Sequence, residues 1–296
     1  MALAQEPDRN QAEALTVACI QMQSSDDAQA NADQAEGLIR EAASAGARLV
    51  ATPENTGFMT TGSARVIAAG QPEAGHPVLE RLSALAAELE LWLVIGSLWI
   101  RDAGEARNHN RCLLVGPDGR VAARYDKIHM FDVTVSETES YLESRNFAPG
   151  STAVVHDLPF ARLGLSICYD LRFPHLYRSL AQAGAHILTI PSAFTRPTGA
   201  AHWDVLLRAR AIETGAFVLA PAQTGTHPRG RETWGHSAIV APWGEVLAQA
   251  GTEPCALVAR LDLAEVAKAR GRVPAWHSEP GFTAPAEPTA ASAAAE

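Results

Sequence analysis

Cysteine is scarce in this chain of 296 residues: Cys19, Cys112, Cys168 and Cys255 stand far apart, and none belongs to a CxxC pair. That argues against a disulfide scaffold and against a zinc ribbon, and it points to a reducing compartment. The ten histidines show neither HxH nor HExxH spacing, so no metal site is expected. Positive charge is in deficit, with a formal net charge of -9. A nucleic-acid binder needs a basic surface, so that class is disfavoured, although a local group of arginines can still hold a small anion. Neither GxGxxG nor GxxxxGK[ST] occurs, so a phosphate cradle has no support. The most apolar run, 91–100, is too short to span a bilayer. The N-terminus carries acids and no apolar h-region, unlike a secretory signal. A soluble, cytoplasmic protein is the expectation, with no cofactor.

What the chain does have is 47% hydrophobic residues and enough length for one large or two ordinary domains. Strand and helix patterns alternate. Apolar runs predict strands at 15–20, 48–52, 92–96, 111–115, 186–190, 217–220, 237–240 and 256–259, and one that ends at Cys168. Helical stripes predict helices over 28–45, after Pro77, over 173–183, 201–214 and 263–270. The stretch 126–150 reads as a long polar loop, which in a compact domain is usually functional. No linker and no internal repeat stand out. The reading is one layered α/β domain over 14–277, with disordered tails at 1–13 and 278–296.

Cys168 closes an apolar strand pattern, and Pro174 suits the first turn of a helix after it. A thiol there would lie near helix N-terminal dipoles that favour thiolate. By itself it reads more readily as a buried structural cysteine, because free cysteine is among the most buried residue types. A thiol nucleophile needs a base, and a carboxylate can serve. Glu54 follows the 48–52 strand pattern and would sit at its end, although position alone suits a surface glutamate. Lys127, in Tyr125-Asp126-Lys127-Ile128-His129, reads as a solvated lysine or as a fixed ammonium beside an oxyanion. Glu143 alone reads as solvated, as do Arg229 and Arg231. Ser166, in a superficial GxSxG-like context, reads as a packed strand residue.

Taken together, Thr52-Pro53-Glu54, Tyr125-Asp126-Lys127 and Gly164-Leu165-Ser166-Ile167-Cys168-Tyr169-Asp170-Leu171-Arg172-Phe173-Pro174 resemble the three motifs of the nitrilase (carbon–nitrogen hydrolase) superfamily, in order and spacing. The resemblance runs from about Leu15 to about His277. It implies a Glu54-Lys127-Cys168 triad, and Glu143-Ser144 followed by Pro149-Gly150 fits the family's second active-site glutamate. It further implies a four-layer α-β-β-α sandwich, a thioester mechanism and a homodimer or larger assembly. Cys168-Tyr169-Asp170 with Arg172-Phe173-Pro174 looks like the Nit branch. Within it, 201–214, 222–225 and 234–237 look most like enzymes that cleave deaminated glutathione to 2-oxoglutarate and cysteinylglycine. An omega-amidase on 2-oxoglutaramate and another amidase or carbamoylase are the rival activities, and a catalytically silent scaffold is the rival outside enzymes. For an anionic substrate, Arg172 is the expected carboxylate partner or else an ion-pair partner of Asp170. Tyr169, Phe194 and Thr198 are the expected pocket residues. The stretch 130–141 is the least family-like.

Overall fold

A computed structural model describes residues 14–135, 140–278 and 280–283. The expected tail at 1–13 and most of that at 278–296 lie outside the described residues. The first sheet holds β1 (Leu15–Gln21), β2 (Leu49–Ala51), β3 (Trp92–Ile100), β4 (His109–Val115) and β5 (Val121–Asp126). A short hairpin follows, β6 (Asp132–Thr134) and β7 (Ser140–Leu142). The second sheet takes β8 (Val154–Asp157), β9 (Arg162–Leu165), β10 (Ile187–Thr189) and β11 (Phe217–Ala220). A second hairpin, β12 (Thr224–Thr226) and β13 (Glu232–Trp234), precedes β14 (Ala238–Val240) and β15 (Val246–Gln249). The last strand, β16 (Cys255–Leu261), returns to the first sheet. The helices are α1 (Ala28–Ser44), α2 (Ser63–Ala69), α3 (Pro77–Glu88), α4 (Pro174–Gln182), α5 (Arg196–Thr214) and α6 (Ala264–Arg272).

Strand alternation sorts the first sheet's side chains into two cores. Val17, Cys19, Leu49, Ala51, Val94, Cys112 and Leu114 point inward against Leu163, Ile187 and Leu219 of the second sheet. Their neighbours Ala18, Ile20, Val50, Leu93, Ile95 and Leu113 point outward against Ile39 of α1 and Leu82 of α3. Tyr177 of α4 and Trp203 and Leu207 of α5 join the core of the second sheet. The layers are therefore α-β-β-α, as expected.

The two sheets have the same wiring. The orders β16-β1-β2-β3-β4-β5 and β8-β9-β10-β11-β14-β15 both pair antiparallel, parallel, parallel, antiparallel, antiparallel. The likeness extends to single hydrogen bonds. Gly46 N–H donates to Ala43 C=O and Gly184 N–H to Ala181 C=O, both at 2.8 Å, and both glycines have φ 87°. This left-handed stop ends α1 and α4 alike and turns each chain into a strand. Thr52 N–H then meets Val94 C=O, as Ile190 N–H meets Leu219 C=O. The sequence reading of no internal repeat is thus corrected. Ala45-Gly46-Ala47 matches Ala183-Gly184-Ala185, and Val115-Gly116-Pro117-Asp118-Gly119 matches Val240-Ala241-Pro242-Trp243-Gly244. These short turn segments carry the duplication because backbone geometry, and not packing, constrains them.

Other boundaries move. The long loop at 126–150 contains the β6–β7 hairpin and a 3-10 turn at Glu143–Arg145; residues 136–139 lie outside the described residues. The helix expected from 201 begins at Arg196, with Pro197 in its first turn. Gly199 lies inside this helix, with the Trp234 side chain packed against it. A Cβ there would lie 2.3 Å from Trp234.

Candidate active site

Glu54, Lys127, Glu143 and Cys168 converge at the floor of one cavity of about 520 Å³. Each stands just beyond a strand or turn. Glu54 follows β2, Lys127 follows β5, Glu143 opens the turn after β7, and Cys168 follows β9. Strand ends at one edge of a sandwich can aim side chains at a shared point without burying irregular backbone between sheets.

Lys127 Nζ is the hub. It lies 2.9 Å from Glu54 Oε1 and 3.0 and 2.9 Å from the two oxygens of Glu143. Lys127 is 2% exposed and Glu54 3%, so the surface readings of both are corrected. Burial opposes an ammonium, yet the charges of Glu143 and Glu54 outweigh it and hold Lys127 above the ordinary lysine range. Burial likewise opposes the Glu54 carboxylate, but the Lys127 ammonium and its hydrogen bond hold it below the usual carboxylate range. A single carboxylate that serves as acid and base suggests a raised pKa, and the direction here is the reverse, because the ion pair is direct. Glu143 is fixed in turn by the Phe131 N–H at 2.6 Å.

The Cys168 thiol and the Glu54 carboxylate share the cavity floor, close enough for each to shift the other's pKa. Its backbone has φ 50°, a left-handed conformation that costs an L residue about 1–2 kcal/mol. Such strain tends to persist where function needs a side chain presented sharply. Burial, then the Glu54 charge, push the thiol pKa up, while Lys127 and the Ala193 backbone oppose them. The expectation of a thiolate favoured by a helix N-terminus is corrected. A 3-10 turn, Cys168–Arg172, intervenes, and α4 begins only at Pro174. A free cysteine this buried in apolar surroundings rests as thiol.

Two further polar residues complete the site: Asn110, which carries no signal in the sequence, and Asp170 of the Cys168-Tyr169-Asp170 motif. Asn110 in β4 donates through Nδ2 to Glu54 Oε1 at 2.9 Å and to Glu143 Oε1 at 3.3 Å. Its buried Oδ1 has no partner among the described residues. Asp170 is fully buried and accepts from Tyr125 Oη at 2.7 Å, His129 N at 3.0 Å and Ile167 N at 2.8 Å. It also pairs with His129 Nδ1 at 2.7 Å. Asp170 thereby ties the strand that carries Lys127 to the turn that carries Cys168.

Tyr169, Phe194 and Thr198 line the cavity, and Arg172 does not. The Arg172 guanidinium stands 5.4 Å from the Phe194 ring centroid and 6.0 Å from that of Tyr169, and Nη1 lies 3.2 Å from His202 Nδ1. Asp170 spends its oxygens elsewhere, so no Arg172–Asp170 pair forms. Arg231, which reads as solvated, lines the cavity instead. The β12–β13 hairpin carries it there, held by Trp234 N–H on Phe194 C=O at 3.0 Å. Ser166 is packed as expected, bonded to Tyr177 Oη and Thr189 C=O.

Residues 16–271 match the carbon-nitrogen hydrolase family. The chain is 41% identical over 261 residues to a deaminated glutathione amidase of Synechocystis sp., covering 87% of this chain and 95% of that one. It is 37% identical over 263 residues to the human omega-amidase NIT2, covering 89% and 94%. Among solved structures it is similar to the NitFhit protein of C. elegans, with a TM-score of 0.83 and 36% identity, covering 90% of this chain and 65% of that chain. It is also similar to a glutamate-to-glutamine mutant of an amidase from Nesterenkonia sp. AN1, in which acrylamide has added to the active-site cysteine. That likeness has a TM-score of 0.74 and 27% identity, covering 88% and 98%.

Proposed function

The chain belongs to the carbon–nitrogen hydrolase family, and from that premise we propose that it hydrolyses the amide of a small anionic substrate through a thioester on Cys168. The observation that carries the reading is the convergence of three buried side chains on one cavity: Glu54 in contact with the Lys127 ammonium at 2.9 Å, and the Cys168 thiol beside them. A depressed Glu54 is a weak base and a raised thiol a weak acid. Free proton transfer between them is uphill, so the proton moves to Glu54 as sulfur bonds to the carbonyl carbon. The negative charge then develops on the carbonyl oxygen. Lys127 and the Tyr169 N–H are its donors, and one such donor is worth about 3 kcal/mol in the transition state. Protonated Glu54 passes its proton to the departing amine, leaving the thioester. Water, relieved of a proton by Glu54, cleaves that thioester and frees the acid. Glu143 holds the lysine in place throughout, because both oxygens of its carboxylate lie within hydrogen-bond distance of the ammonium.

The substrate we propose is deaminated glutathione, split to 2-oxoglutarate and cysteinylglycine. Arg231 and Arg145 in the cavity wall suit an anionic substrate. The likeness to an omega-amidase keeps 2-oxoglutaramate as the second reading. Parallel assays of both amides, with Cys168→Ala as control, test the proposal. Turnover of deaminated glutathione is expected, with a loss of more than about 10³-fold in the variant. Absence of turnover with either amide, or activity that survives in Cys168→Ala, contradicts it.

A second copy of the chain is the proposed partner. Val205 and Ile212 of α5 are exposed, beside Trp243 and Leu247 of the β14–β15 hairpin. Arg208 Nε fixes the hairpin turn to α5 through Gly244 C=O at 2.9 Å. Covering this apolar face accounts for its exposure in one protomer. Sedimentation as a monomer at micromolar concentration contradicts the pairing.

A further inference from the structure

A second basin of about 420 Å³ adjoins the cavity around Cys168, and Tyr141 and Arg231 belong to the walls of both. Arg231 marks the boundary. Its guanidinium lies 5.4 Å from the Tyr141 ring centroid, and Nη2 donates to Ala193 C=O at 3.0 Å. Its buried Nε has no partner among the described residues. Beyond it the basin is lined by Arg196, Arg229 and Glu232. Arg196 pairs with Glu232 at 3.1 Å. Three arginines and this one glutamate line the basin, so it is locally basic on a chain of net charge -9.

Arg229 is held in an unusual way. It has φ 67° and ψ 23°, and Gly230 beside it has φ 81°. Glycine or asparagine adopts this left-handed turn with less strain than arginine. An arginine kept there at the lip of a basic basin points to a role for its charge.

We propose that the second basin binds the terminal carboxylate of the departing amine, with Arg229 as a specificity-determining residue, so that amides releasing an anionic peptide are preferred over those releasing ammonia. This rests on the reaction proposed above. The acyl group stays bonded to Cys168 until water arrives, so it belongs in the enclosed cavity around Glu54 and Lys127. The amine must leave first, and the exposed basin is its route. An extended dipeptide amine carries its carboxylate about 7 Å from the scissile nitrogen, well away from the triad. The basin therefore sets the substrate class through the leaving group.

Three amides of the same 2-oxoglutaryl group test this: 2-oxoglutaramate, deaminated glutathione, and deaminated glutathione with its terminal carboxylate replaced by a carboxamide. For the wild type, kcat/KM is expected to be about fivefold to tenfold higher for the free acid than for the carboxamide, mostly through KM, as befits one exposed ionic contact. Raising the salt concentration should shrink that ratio, because exposed charges are screened. In Arg229→Asn, which suits the left-handed turn, the ratio falls towards one, and Arg229→Lys restores part of it. A general folding defect would lower both rates and leave the ratio alone. A wild-type ratio of one, or the wild-type ratio in Arg229→Asn, overturns the basin's role while leaving the reaction intact. No turnover of any of the three overturns the reaction, and this inference with it.

Discussion

Glu54 holds Lys127 as an ion pair, and in the proposed reaction it also accepts a proton from Cys168. The sign of its shift decides the pH dependence. Its folded pKa lies below the ordinary value, so the carboxylate and its ion pair persist at neutral pH and are lost as pH falls through that depressed value. Lys127 is shifted upward, so its ammonium persists below the ordinary lysine pKa and is lost only as pH rises beyond it. The account expects kcat/KM for an amide to stay flat across neutral pH, with an acid limb centred below about 4.3, the value of an unperturbed glutamate. A limb centred at pH 6 to 7 in a pH–rate profile would mean that Glu54 is a raised, neutral acid at rest. Both neighbours make it otherwise.

At the scale of elements, precision comes from connections between strands that are distant in the chain. Asp170 is the tie between the end of β5 and the Cys168 turn. An amide in its place presents donors to N–H and O–H groups that already donate. Asp170→Asn should therefore cost about 3 kcal/mol of stability by urea denaturation, the scale of a broken buried charged network. It should also lower kcat by about tenfold or more with KM little changed, because a misplaced thiol loses attack geometry and not binding. Normal kcat in a destabilised variant would make Asp170 a structural residue alone. The duplicated wiring also belongs to this scale. Pro53-Glu54 after β2 matches Pro191-Ser192 after β10, so two like strand ends hold different chemistry: one supplies the base, the other the Pro191 C=O that accepts the Cys168 N–H at 2.9 Å.

Over the whole molecule, what the sequence made legible follows from what each signal measures. The layered α/β architecture was legible because apolar runs on β1 to β4 and stripes on α1 and α3 report burial directly. That Glu54, Lys127 and Cys168 meet in one cavity was legible only through three motifs in order. None of Glu54, Lys127 or Cys168 could be told from a bland residue alone, since convergence in space leaves no local mark. For the same reason Asn110, a polar residue within a strand, carries no signal, and Arg231, a loop arginine that a hairpin folds inward, reads as solvated. The duplication leaves little trace in the sequence because its halves agree only over short turn segments. Arg172 was read from proximity in sequence to the nucleophile, and such proximity does not decide which face of a turn a side chain takes.

The claim beneath all of this is that Cys168 becomes acylated. Rapid acid quench of the wild-type enzyme during turnover of deaminated glutathione, followed by intact-mass and peptide-mass measurement, tests it most directly. The account predicts a 2-oxoglutaryl adduct on the peptide that contains Cys168, absent from Cys168→Ala. Steady turnover with the adduct on another residue, or turnover undiminished in Cys168→Ala, would contradict it.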